Sequence, residues 1–431
     1  MALARALVAR GHQVRMAINK AMHGYANRLG LEAIALTDID RGPEEARQNA
    51  WAWDHWNNPD LAHHPKAKPF DLGSYILQAR ELIDLSRDAD LLISTSIRTL
   101  GYVVHSSTGL PWLTVSMNPY TFWQPVLAVE RKAWEQSRFE EYRNHKGLIA
   151  YTFAELDIDR PPPSWSMGWL FARHVILASS PHFSLPDLNQ LQPRSSVDMT
   201  GFWFYEDPDW QNWQPDETLL RFMEQRPIVL SFSSQPLEDP APILKLHVEA
   251  TAQLRRPLLV LKGWAGFTEK DLLPTANREK ILFADFIPHD WAFARAECAI
   301  LHGGIGSIAR ALRQGCPLLI EPYGNDQIHN ASCVVTLGVG AAMHPFKMTP
   351  DGLTKVLSEK VLIPMCRQRA QALGAKILSE RGLEAACHLV ENYLSWPRFI
   401  DEQQTCQVPS LYNRSLPQDS EVPRQDQDPS V

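Results

Sequence analysis

Residues 300–317 read "ILHGGIGSIARALRQGCP". The run "CAILH" (298–302) is short and apolar, as a buried strand requires, and "SIARALRQG" (307–315) has helical periodicity with Gly315 as its stop signal. Between them lie glycines at 303, 304 and 306. An interior glycine costs roughly 0.5–1 kcal/mol relative to alanine, so regular structure does not account for three of them. A strand, a Gly-rich turn and a helix start in succession form the repeating unit of an open parallel α/β sheet, which takes its ligands at the carboxyl ends of the strands. The free N–H groups and partial positive charge of a helix N-terminus suit a phosphate. Gly303, Gly304 and Gly306 would let it approach the main chain, and His302 and Ser307 would add side-chain donors. Taken alone, the stretch is equally satisfied by a tight turn packed on its own strand.

The flanking sequence has the same form. "PLLIEP" (317–322) reads as a strand, and "GNDQIHNA" (324–331) follows it. Asp326 and Gln327 lie just past that strand end, where a carboxylate beside an amide can bind the vicinal hydroxyls of a sugar or simply form a polar turn. Upstream, "KILFADFI" (280–287) runs into "FIPHDW" (286–291), whose aromatic and histidine side chains suit a base and ribose. "PIVLSFSS" (227–234) ends in hydroxyls that suit a phosphate. Four strand ends in one half of the chain thus carry ligand-like polar groups.

The first half also alternates helix and strand. Met1–Arg10 reads as a helix closed by Gly11, and strands are expected at Gln13–Ile18, Glu32–Leu36, Ala89–Thr95, Trp112–Ser116 and 174–180. Helices are expected near 21–29, 74–86 and 99–107. "GFWFYEDPDWQNWQP" (201–215) has no period and reads as a linker, after which the pattern restarts with "PIVLSFSS", "PLLVLKGW" (257–264), "KILFADFI", "CAILHGG" and "PLLIEP". The expected organisation is an N-terminal domain over 1–200, a linker over 201–225 and a C-terminal domain over 226–387. A helix over 388–400 is expected to pack back on the N-terminal domain, ahead of a disordered tail over 401–431.

A chain of 431 residues calls for two domains rather than one core. With 45% hydrophobic and 21% charged residues and a net charge of −7, its composition is that of a soluble globular protein and not of a nucleic-acid binder. It has no apolar run long enough for a transmembrane helix, and its opening is amphipathic rather than a signal-peptide core. Six cysteines without a CxxC pair fit reduced thiols in a cytoplasmic protein. The adjacent His63 and His64 sit in a Pro- and Asn-rich stretch without metal-ligand spacing, so no metal site is expected.

"FIPHDWAFARAECAILHGGIGSIARALRQGCPLLIEPYGNDQIHNA" (286–331) resembles the nucleotide-sugar signature of family 1 glycosyltransferases. "VDMTGFWFYEDPDWQNWQPDETLLRFMEQRPIVLSFSS" (197–234) and "LKGWAG" (261–266) resemble the sterol-glucosyltransferase and bacterial natural-product branch. The resemblance implies a GT-B fold, α/β, with two Rossmann-like domains facing across a cleft. It further implies inverting, metal-independent transfer of a hexosyl group from a UDP- or dTDP-sugar to a hydroxyl of a lipophilic acceptor, with no cofactor beyond that co-substrate. Carried over, His302, Gly304, Gly306, Ser307 and Ser234 would bind the donor diphosphate. Phe286, Ile287 and His289 would bind the nucleoside, Ile287 through its backbone, and Asp326 and Gln327 the sugar. Ser233 stands where the family commonly has glycine, and Arg310 where the related plant signature has a ribose-binding glutamate.

The aromatic insertion around Tyr120, Phe122 and Trp123 suits a hydrophobic acceptor, or equally a core satellite under a long loop. Family members open with a strand and a loop bearing a catalytic His or Asp, ahead of the helix that Met1–Arg10 resembles. The N-terminal domain is therefore expected to lack its first strand, with a further upstream segment, or another one, filling the slot. Residues 94–96 are Ser-Thr-Ser and offer no acid to orient a base; His23 and His105 are nearest, and no base is assigned. Two other readings are a donor-binding protein without a base and a nucleotide-sugar 2-epimerase. A monomer or weak dimer, with peripheral membrane contact allowed, is the expected state.

Overall fold

The computed structural model describes residues 1–37, 50, 71–95, 99–117, 147–159, 171–183, 196–206, 210, 212–324 and 326–395. The expectations for residues 118–134 (Tyr120, Phe122 and Trp123 among them), for Ser96, for His63 and His64, and for the tail lie outside them.

In the C-terminal half, strands β7 (Ile228–Ser231), β8 (Leu258–Leu261), β9 (Ile281–Ala284), β10 (Cys298–Leu301), β11 (Leu318–Ile320) and β12 (Gly340–Ala342) form one parallel sheet in the order β12-β11-β10-β7-β8-β9. The two strands at its margins are partly exposed, whereas β7, β8, β10 and β11 are buried throughout, as inner strands of a sheet covered on both faces must be. Alternation sends their side chains to opposite faces. Val229, Ala299 and Leu301 pack with residues of α5 (Glu217–Glu224), α7 (His289–Arg295), α8 (Ile305–Arg313), α9 (Asp326–Thr336) and α11 (Pro364–Leu378). Ile228, Leu230, Cys298 and Ile300 face α6 (Pro240–Gln253) and α10 (Pro350–Val356) instead.

The described strands of the N-terminal half form two parallel sheets. One pairs β1 (Arg15–Ala17) with β2 (Glu32–Ile34); the other has the order β3-β4-β5-β6, from Leu92–Thr95, Trp112–Ser116, His174–Leu177 and Ser196–Met199. β3 is only half-buried, as a strand with one hydrogen-bonded neighbour should be, whereas β4 and β5 are largely buried. Helices α1 (Ala2–Ala9), α2 (His23–Arg28), α3 (Leu72–Leu85) and α4 (Leu100–Thr108) cover these sheets.

The last described helix, α12 (Gly382–Ser395), returns to the N-terminal half. Its Ala386, Cys387 and Val390 share a core with Leu3, Leu7, Leu113 and Ile176, and Arg10 holds Glu391 through bonds of 2.6 and 2.7 Å.

Candidate functional site

The turn between β10 and α8 is built by two close approaches. Gly303 has φ +106°, and a Cβ there would meet the Gln327 Cβ and Ile320 Cγ2 at 3.0 Å. At Gly304 a Cβ would overlap the His302 ring. Glycine at these two positions lets the turn lie directly on the start of α9 with the imidazole folded over it. Gly304 is the N-cap of α8 and supplies no side-chain cap, so the first N–H groups of that helix have no capping side chain. Gly306 faces open space, and Ser307 is buried just behind it.

His302 is 5% exposed, and its Nδ1 is buried without a hydrogen-bond partner among the described residues. Burial, helped by His289, pushes its pKa down to about 4, so the ring is neutral near pH 7. An imidazole nitrogen left dry in this way costs roughly 1–3 kcal/mol until something bonds to it.

The other strand ends converge on this turn through named bonds. Asn330 Nδ2 donates to the Gly303 carbonyl at 2.9 Å and to Asp326 Oδ2 at 3.2 Å. Burial raises the Asp326 pKa, against the opposing pull of its own N–H and Asn330. The Gln327 amide is turned inward: Oε1 accepts from the Tyr323 N–H at 2.8 Å, and Nε2 donates to Gln235 Oε1 at 3.0 Å. That second bond ties the loop after β11 to the loop after β7. There Ser233 has φ +49°, its carbonyl accepts from the Trp264 N–H at 2.7 Å, and Ser234 is exposed.

The loop after β9 joins from the other side. Phe286 is 50% exposed, with its ring 5.9 Å from that of Trp210, while the Ile287 side chain is in the core and leaves only its main chain available. His289 stacks on Phe293 at 5.2 Å, and burial, with Arg310, pushes its pKa down to about 4 against the opposing Asp290. Arg310 donates to Asp290 Oδ2 and to the Tyr205 carbonyl, and its guanidinium lies 4.8 Å from the Trp210 ring centroid. Gln314 takes the other Asp290 oxygen at 2.9 Å. Arg310 therefore clamps the linker to α8 and α7.

The structure thus brings His302, Gly304, Gly306 and Ser307 onto one turn and sets Asp326 and Gln327 directly against it. Ser234 and Phe286 lie exposed on the adjoining loops. Sequence reading assigned no role to Asn330 or Gln235. Asn330 lies four residues after Asp326, on the same helix face, which was a usable signal; Gln235 had none.

In the N-terminal half, His23 Nε2 bonds the Ile18 carbonyl at 3.1 Å and His105 Nδ1 the Leu110 carbonyl at 2.7 Å. Ser94 Oγ accepts from the Trp112 indole at 2.8 Å. Among the described residues, no group of three or more His, Cys, Asp or Glu side chains could hold a metal, and no helix is long and apolar enough to cross a membrane.

Solved structures of the same shape include the glycotransferase of kitacinnamycin, at TM-score 0.67 and 19% identity, and the calicheamicin glycosyltransferase CalG4, at 0.63 and 15%. Each alignment covers 91% of this chain and 94% of the other. The chain has the GT-B fold of the family 1 glycosyltransferases. Residues 271–391 of this GT-B chain match the family described as erythromycin biosynthesis protein CIII-like, C-terminal domain, and hold every turn residue named above. Over 95% of its length the GT-B chain is 23% identical to a sterol 3-beta-glucosyltransferase of Pichia angusta, and over 91% it is 24% identical to one of Arabidopsis thaliana. It spans 33% and 65% of the lengths of those two proteins.

Proposed function

We propose that this chain transfers a hexosyl group from a UDP- or dTDP-sugar to a hydroxyl of a lipophilic acceptor, with inversion and without a metal. The observation that carries the reading is the buried, unpartnered His302 Nδ1 beside the uncapped start of α8. A diphosphate at the turn would meet main-chain N–H groups, the helix dipole and an imidazole poised to bond. As the sugar departs, negative charge grows on that diphosphate, and fixed donors stabilise it without having to reorganise. Asp326 at the start of α9 would accept from sugar hydroxyls, and the exposed Phe286 ring would carry the base. Attack by the acceptor on the face opposite the diphosphate inverts the anomeric carbon. The names of the relatives, sterol glucosyltransferases and natural-product glycosyltransferases, support a lipophilic acceptor.

The test is an intact-mass screen of UDP- and dTDP-hexoses against sterols and polyketide-like alcohols. A mass gain of one hexose on an acceptor is expected, with roughly 10–100-fold less product from H302A, the loss of one bond to a charged group. Donor binding without transfer to any acceptor would favour the binding-only reading; no binding of any nucleotide sugar would end both.

A further inference from the structure

Asn330 is 1% exposed, on the face of α9 that turns toward the Gly-rich turn. Its Nδ2 carries two hydrogens, and two acceptors lie in range, one of them main chain from the turn and the other the Asp326 carboxylate. Its Oδ1 is buried with no partner among the described residues. A dry amide oxygen costs roughly 1–3 kcal/mol, which an apolar side chain of similar size would avoid. A role confined to packing does not explain an amide there; a role that needs both hydrogens does.

We propose that Asn330 is a positioning residue that fixes the Asp326 carboxylate against the Gly303 turn, and so sets the spacing between the diphosphate and sugar subsites. The proposal rests on the nucleotide-sugar reading given above. A carboxylate at a helix start swings about two side-chain bonds, and anchoring it to the carbonyl of the turn removes that freedom before the donor arrives. The same N–H also favours the ionised form of Asp326 against the effect of burial, so the group enters the site as an acceptor for hydroxyls. The helix start after the turn is closed without Asn330, by the Ile308 N–H on the Gly304 carbonyl.

Binding of UDP and UDP-glucose, with dTDP and dTDP-glucose alongside, is measured by titration calorimetry for the wild type, N330A, D326A and the double variant. Asn330→Leu, an apolar side chain of similar size that removes both donors, is included in case alanine impairs folding. N330A and N330L should weaken the sugar nucleotide roughly 10–100-fold while changing bare nucleotide affinity less than about threefold, because only a bond to a charged group is lost. The double variant should be no weaker than D326A alone, since Asn330 acts through Asp326. Equal losses for nucleotide and sugar nucleotide, or losses that add in the double variant, would overturn the proposal. A wild type that binds none of the four ligands would instead overturn the donor reading beneath it.

Discussion

His247 Nε2 lies 2.8 Å from Glu321 Oε1, and both side chains are fully buried between α6 and the end of β11. The other ring nitrogen contacts the Ile243 carbonyl at 2.7 Å. A carbonyl can only accept, so Nδ1 carries hydrogen, and the contact with Glu321 needs one more between the partners. Burial alone would lower the His247 pKa; the charge of Glu321 and its hydrogen bond outweigh burial and raise it. Stability from this histidine is therefore complete below its ordinary value of about 6.5 and is lost as pH rises through the raised value. H247A, which leaves the acid alone in the core, should cost about 3–5 kcal/mol in urea unfolding, whereas a paired change to H247L and E321M should cost much less. Similar costs for both would show that packing alone accounts for the pair.

The neutral His302 makes the opposite pH prediction. A pKa held at about 4 against 6.5 unfolded corresponds to about 3 kcal/mol. The folded, ligand-free protein should lose that stability as pH falls from 6.5 toward 4, and H302N should flatten this part of the curve. A bound diphosphate favours the protonated ring, so saturating UDP should also reduce the slope. An unchanged curve in H302N would show that other groups govern acid unfolding.

Gly304→Ala should separate binding from folding. The added Cβ meets the His302 ring rather than main chain, and the ring can turn away. The unfolding free energy should fall by about 1–2 kcal/mol, within the range of ordinary single substitutions. Sugar-nucleotide affinity should fall roughly tenfold or more with the lost bond. Calorimetry and urea unfolding on one preparation measure both, and retained affinity would place His302 outside the phosphate contacts.

Arg310 holds the linker by a carbonyl bond and a ring face, and is itself anchored on α7 by its ion pair with Asp290. R310A should destabilise the fold by about 2–4 kcal/mol and open residues 200–216 to proteolysis. Lysine keeps the charge but not the planar fork, so R310K should recover less than half of that loss. Protease resistance equal to the wild type in R310A would mean that the linker is held by its aromatic contacts instead.

Much of the scaffold was legible because its signals are local. The strand expected at Trp112–Ser116 has those bounds, and those at 227–234, 257–264, 280–287, 298–304 and 317–322 each contain a shorter observed strand. The excess is the flanking residues that leave the ladder, mostly at the carboxyl end where the following loop starts. β6 and β12 were not read at all: "SVDM" and "GAA" have no apolar run, and they are strands because β5 and β11 offer them a ladder. The pairing of β1 with β2 apart from β3–β6 depends on hydrogen bonds between distant segments.

By itself, then, the sequence determined where the apolar strands and the periodic helices lie and where glycine must stand, because periodicity and allowed backbone angles act over a few residues. It also named the turn residues, since the glycines, the histidine and the serine stand adjacent in the chain. Only the tertiary structure decided that Asn330 reaches a carbonyl 27 residues away, that Arg310 locks onto a linker carbonyl 105 residues away, and that Gln327 faces inward. It also decided the protonation of His302 and the bias on Asp326, because both depend on how much water the rest of the chain excludes from them.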